Sequence, residues 1–103
     1  MTKTPPFHKL LDNGIGADFV FTASISGSTF PLDTEARIEV YDTDNTTILD
    51  TFDGTYDTTS FSWAETSTTM DALPDRPHYR CYVKFPNTPD DYLWFYGTLR
   101  RIG

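Results

Sequence analysis

HYRCYVKF, residues 78–85, alternates without a break. Tyr79, Cys81, Val83 and Phe85 fall on one side, and His78, Arg80, Tyr82 and Lys84 on the other. A period of two marks a strand with one face in a core and the other in water. EARIEVYD, residues 35–42, repeats the pattern, with Ala36, Ile38 and Val40 opposite Arg37, Glu39 and Tyr41. DFVFTASIS, residues 18–26, sets Phe19, Phe21 and Ala23 on one face and Val20 on the other. ILDTFD (48–53) supplies Ile48 and Phe52, and SFSWAET (60–66) sets Phe61 beside Trp63 on a single face. YLWFYGTLRRI (92–102) begins apolar on both faces, as expected of a central strand or one whose outer face meets another surface.

The segments between are turn-like. SGST, DTDNTT and PNTPDD carry the residues that favour turns, and Asp53-Gly54 reads as a hairpin dipeptide. TTMDALPDRP reads as a long polar crossing, and no helix of ordinary length has room. Six or seven short strands with such punctuation predict an all-β domain, either a β-sandwich or a small barrel. The 103 residues suffice for one domain and one core. Apolar content is low at 38%, but 16% is aromatic, so a few large rings must do much of the burying.

Residues 1–17 read as an arm or irregular entry, with the sandwich over 18–103. Pro5-Pro6 resists both helix and sheet. Phe7, Leu10 and Leu11 have helical spacing, but Asn13-Gly14 ends the run after about one turn. These apolar residues either cover an edge of their own domain or reach a neighbouring subunit.

The net charge of −7 argues against nucleic acid, which needs clustered Lys and Arg, and against anionic membranes. No apolar run approaches the ~20 residues that span a bilayer. MTKTPPFHKLL lacks the apolar core of a signal peptide, so cytoplasmic synthesis is expected. Cys81 is the only cysteine, so an intrachain disulfide and a cysteine-based zinc site are both ruled out.

Few residues offer chemistry. Asp42, Asp44, Asp50 and Asp53 form an acidic stretch that is a weak candidate for calcium. Read as an EF-hand, however, Thr47 stands where glycine is needed and strands flank the loop. The favoured reading is a turn whose Asp and Asn side chains bond their own backbone. His8 and His78 are far apart in sequence, and no residue is placed to orient either as a base. Cys81 lies on an apolar strand face, where a thiol acts as a small hydrophobe. No catalytic residue and no cofactor are therefore expected. Tyr92, Trp94 and Tyr96, spaced by two, are expected on one face as core or as a subunit interface, with a sugar-stacking platform as the alternative. Trp63 is expected in the core.

Two resemblances add to this reading. Asp75, Tyr79 and Cys81 in DRPHYRC resemble the D-x-A-x-Y-x-C run of immunoglobulin strand F, where the Tyr hydroxyl bonds back to upstream backbone. Pro77 stands in place of the small residue, and the partner cysteine is absent. The implied fold is an immunoglobulin-like antiparallel β-sandwich of about seven short strands, closed by packing and not by a disulfide. Over residues 18–102, the order of ARIEVYDTDNTTILDTFDG, FSW, LPDRPHYRCYVKFP and WFYGTLRRI resembles the tail-associated small β-sandwich virion proteins of actinobacteriophages. It is similar in plan to the N-terminal domain of the lactococcal phage baseplate upper protein. The matching elements are Asp53-Gly54, Leu73-Pro74, Tyr79 to Val83, and Gly97 to Leu99.

The resemblance implies a non-enzymatic minor tail protein, tail-tip or tail-fibre associated, made in the bacterial cytoplasm and carried in the virion. Its implied partners are other tail proteins and copies of itself, docked through Tyr92, Trp94, Tyr96 and the arm residues Phe7, Leu10 and Leu11. The alternatives are a capsid-decorating or head–tail joining protein and a host-glycan-binding module.

Overall fold

The computed structural model describes residues 7–14, 16–25, 27–88 and 91–102. In chain order the elements are β1 (Phe7–His8), β2 (Leu11–Gly14), β3 (Phe19–Ser24), β4 (Glu35–Tyr41), β5 (Ile48–Asp53), β6 (Thr55–Tyr56), β7 (Ser60–Glu65), the helical turn α1 (Ser67–Asp71), β8 (His78–Lys84) and β9 (Asp91–Ile102). They make two sheets. The larger runs β1-β9-β8-β4-β5, with β2 also on β9, and the smaller runs β3-β7-β6. The protein is a β-sandwich without a disulfide, and Cys81 is a free, buried thiol.

Alternation places the core. Ile38, Val40, Phe52, Tyr79, Cys81, Val83 and Phe95 from the larger sheet face Phe19, Ala23, Phe61 and Trp63 from the smaller one. Phe30, from the connection between β3 and β4, plugs one end with its ring 4.9 Å from that of Phe61. The crossing expected to be polar throughout instead contains α1. Thr66 caps it by accepting from the Thr69 N–H, and it drops Met70 into the core. Among the described residues no helix is long and apolar enough to cross a membrane.

Asp53-Gly54 is not a hairpin turn. β5 pairs with β4 in the larger sheet, whereas β6 pairs with β7 in the smaller one, so the chain changes sheets at Gly54. The Gly54 N–H donates to the Ala36 carbonyl (2.9 Å). A Cβ at this position would lie 3.0 Å from two carbons of the Trp63 indole and 3.2 Å from the Ala36 oxygen. Glycine is needed here for close packing of the corner and not for a left-handed turn.

The N-terminal stretch is also reassigned. Helical spacing of Phe7, Leu10 and Leu11 gives way to two short strands, both parallel to β9. Phe7 pairs with Phe95 and Leu11 with Leu99, so one register runs through both strands. The sandwich is thus not antiparallel throughout. Parallel neighbours need a long connection, and here most of the domain lies between them. Leu11 is buried in the core, while Leu10 is 46% exposed. Pro5, Pro6 and the side chain of Phe7 lie outside what is described.

Two groups seat this segment. The Tyr79 hydroxyl donates to the Lys9 carbonyl (2.5 Å), and the Lys9 N–H donates to the Tyr96 carbonyl (2.8 Å). Gly97 leaves room for the same carbonyl, because a Cβ there would stand 2.2 Å from the Lys9 oxygen. The resemblance to a tyrosine corner therefore fails in its detail: Tyr79 reaches the N-terminal segment and not the backbone just upstream of it. Burial pushes its phenol pKa up, keeping it a donor. Arg100 fixes the far end by gripping Asp12 with two contacts, 3.0 and 3.2 Å.

Gly97→Ala is expected to cost about 1–3 kcal/mol, the scale of an overpacked core. Tyr79→Phe, which strands the Lys9 carbonyl, is expected to cost about 1–2 kcal/mol. Each kcal/mol lowers the melting temperature by roughly 4–8 °C in a domain of this size. Thermal unfolding measures both. Faster amide exchange at residues 11–14 than at β4 in either variant would locate the damage at the N-terminal strands.

Candidate interaction surface

The three aromatic residues expected to share a face do not. β9 pairs with β8 through a bulge: Cys81 faces Phe95, but the next residue, Tyr82, faces Leu93, leaving Trp94 as the extra residue. A bulge of this kind reverses the alternation beyond it. Tyr92 therefore sits opposite Val83, a core residue, with its ring 5.5 Å from Phe85. Trp94 packs against the core, its ring 5.7 Å from Phe30 and 5.3 Å from Phe95. Only Tyr96 stands on the outer face, 40% exposed.

The outer face of the larger sheet gathers other residues around Tyr96. Arg80 lies opposite it on β8, and Glu39 lies opposite Arg80 on β4. In the next row Leu93, Tyr82 and Arg37 align across the same three strands. The cations stack on rings: the Arg80 guanidinium is 4.3 Å from the Tyr41 ring centre and that of Arg37 is 4.8 Å from Tyr82. Arg37 also holds both oxygens of Asp91, each at 3.1 Å. Those hydrogen bonds keep the Asp91 carboxyl below its ordinary range. The Tyr41 hydroxyl donates to Glu39 (3.2 Å), and His8 meets Tyr96 edge-on at 5.7 Å. Arginine and tyrosine are the residues over-represented where interfaces concentrate their energy. The outward half of each alternating strand carried this signal in sequence, as Arg37-x-Glu39-x-Tyr41 and Arg80-x-Tyr82, but it reads there as an ordinary polar face.

The acidic stretch is a turn held by its own side chains. Asp44 accepts from the N–H groups of Thr46 (2.9 Å) and Thr47 (3.0 Å) and from the Thr47 hydroxyl (2.6 Å). Asp42 accepts from the Thr43 N–H, and Asn45 takes the left-handed conformation at the tip. Arg80 donates to the Asn45 carbonyl and side chain, tying the loop to the outer face. Asp50 and Asp53 lie on β5, apart from the loop tip. Among the described residues no group of three or more His, Cys, Asp or Glu side chains converges as a metal site. Burial pushes the Cys81 thiol up, the opposite of what a nucleophile needs.

The bonds from Thr47, then Thr46, hold the Asp44 carboxyl well below the usual range. A pKa lowered on folding adds stability above the unfolded value of about 3.9, and that stability is lost as pH falls through the folded value. Asp44→Ala is therefore expected to melt lower than the parent at neutral pH, with the gap narrowing as pH drops below about 4. Calcium added at neutral pH is expected to leave the parent's melting temperature unchanged. Differential scanning fluorimetry across pH and calcium concentration checks both.

Comparison with curated proteins gives no match. Residues 15–102 match the family described as "LtfC-like, beta-sandwich domain", which takes in β3 to β9 and every residue of the outer face described above except His8. The chain belongs to the LtfC-like β-sandwich family, a family of the phage tail-fibre kind.

Proposed function

We propose that this chain is a non-enzymatic structural component of a phage tail, tail-tip or tail-fibre associated, that works by docking onto other virion proteins. The observation that carries the proposal is the family match across residues 15–102. The outer face of the larger sheet supports docking as the mode of action. Its side chains are already fixed by stacking and ion pairs, so little rotamer freedom is left to lose when a partner covers them. Tyr96, Leu93, Arg80 and Tyr82 form its centre, and the pairs Arg37–Asp91 and Arg37–Glu39 lie toward the β4 side. The actinobacteriophage and lactococcal likenesses belong to this reading.

Mass spectrometry of purified virions, separated into head and tail fractions, tests the placement. The protein is expected in tails. Recovery with heads would mean a capsid-decorating or head–tail joining role, and absence from virions would end the proposal. Tyr96→Ala is expected to lower incorporation into tails several-fold while leaving the melting temperature within a few degrees of the parent. Unchanged incorporation, together with lost binding on a glycan array, would replace docking with glycan recognition.

A further inference from the structure

We infer that the free edge of β3 is a self-pairing surface, through which two copies of this chain join their smaller sheets antiparallel about a two-fold axis. The inference does not depend on the virion reading. It starts from the hydrogen-bond parity of β3. The Ile25 N–H donates to the Thr59 carbonyl, and the unshifted register continues as Ala23 with Phe61, Phe21 with Trp63 and Phe19 with Glu65. In an antiparallel pair, alternate residues bond the neighbour. The N–H and C=O groups of Val20, Thr22 and Ser24 therefore point away from β7. Among the described residues, no strand lies on that side.

Free strand edges are normally blunted by charge, brevity or interruption. Among the described residues, the other edge strands are blunted. β5 carries Asp50 and Asp53, β6 has two residues, and the β1–β2 strand is broken at Lys9 and Leu10. β3, FVFTAS, has six residues, no charge and no proline, and Val20 is 76% exposed. The carboxylate next to it, Asp18, is turned back to accept from the Ser67 N–H at 2.7 Å.

Self-complementarity points to a second copy as the occupant. Each chain carries −7, so two copies repel at long range, and an edge without carboxylates adds no local repulsion to this. The solvent face of the smaller sheet has this character: Val20, Thr22, Ser60, Ser62 and Ala64 are all uncharged, and Thr22 and Ser62 bond each other at 3.1 Å. A two-fold centred on Thr22 sets Thr22 against its own copy and Val20 against Ser24. Each pair then exchanges both backbone bonds, and no like charges oppose. Such an isologous contact closes at a dimer. On β5 the same operation would bring aspartates of the two copies together.

Sedimentation velocity of the purified chain over a wide concentration range, at low and high NaCl, tests this. The expected result is a monomer–dimer equilibrium that tightens with salt, because salt screens the repulsion between copies. Thr22→Glu is expected to weaken association at least about tenfold, or 1.4 kcal/mol. Leu49→Glu, on β5, is expected to leave it unchanged. Amide exchange in the parent gives a readout without any variant: protection at Val20, Thr22 and Ser24 should rise with concentration, with none gained on β5. A chain that stays monomeric at every concentration, whether or not another protein occupies the edge, overturns the inference. So does a dimer that leaves those three amides unprotected, weakens with salt, or is broken by Leu49→Glu.

Discussion

A buried hydrogen bond ties the smaller sheet to the larger one across the core. The indole N–H of Trp63, on β7, donates to the carbonyl of Phe52, on β5, at 3.0 Å. A buried indole without a partner would leave a desolvated donor in the core, at a cost of about 1–3 kcal/mol. Trp63 must therefore turn the edge of its indole toward the end of β5, and little space remains between its ring and the chain that follows. Gly54 passes through that space. Because β5 and β6 are joined there by a single residue, the position of the indole fixes where the chain leaves one sheet and enters the other. The rings of Phe21 and Phe61 then pack 6.0 and 6.3 Å from Trp63, extending the same constraint along the smaller sheet.

A comparable constraint acts at the opposite edge. The Lys9 carbonyl is bonded by Tyr79, and Gly97 makes the space it occupies. Tyr79 and Gly97 face each other across β8 and β9, so one register pair supplies both the donor and the gap. This couples the N-terminal strands to the part of the sheet that carries Tyr96, one residue away. The outer face owes its shape to that edge as well as to its own ion pairs, since His8, on β1, sits beside Tyr96.

Local alternation was legible. β4, β7 and β8 can be read directly from residues 35–41, 60–65 and 78–84, and their inward residues are the core. The turn character of DTDNTT was legible too, because Asp and Asn bond neighbours a few positions away and need no tertiary partner. What escaped the sequence depends on distant groups. Asp53-Gly54 has the composition of a hairpin turn, and only the proximity of Trp63 makes it a corner between sheets. The four residues of β2 are too few to show a period, and the strand they pair with lies at the other end of the chain. The bulge at Trp94 left a trace, the loss of alternation in YLWFYG, but that run reads equally well as a strand buried on both faces. The bulge decides the matter by separating Tyr92 and Trp94 from Tyr96, which leaves the arginines and tyrosines of the middle strands as the surface around it.

The two proposed contact surfaces differ in physical kind, and the difference follows from where the charges lie. The outer face of the larger sheet is built from cations stacked on rings and from carboxylates held by arginine, so a partner there meets fixed charge and orientation. Complementary charges of this type act mainly on specificity and on the rate of encounter, and salt weakens them. The edge of β3 offers backbone hydrogen bonds and small uncharged side chains, and what opposes contact there is the overall charge of the chain. Salt weakens that opposition. Rising ionic strength should thus move the two contacts in opposite directions. With −7 on the chain, contact at β3 depends on carboxylates staying off that edge, and Asp18, bonded to the Ser67 N–H, is held aside from it.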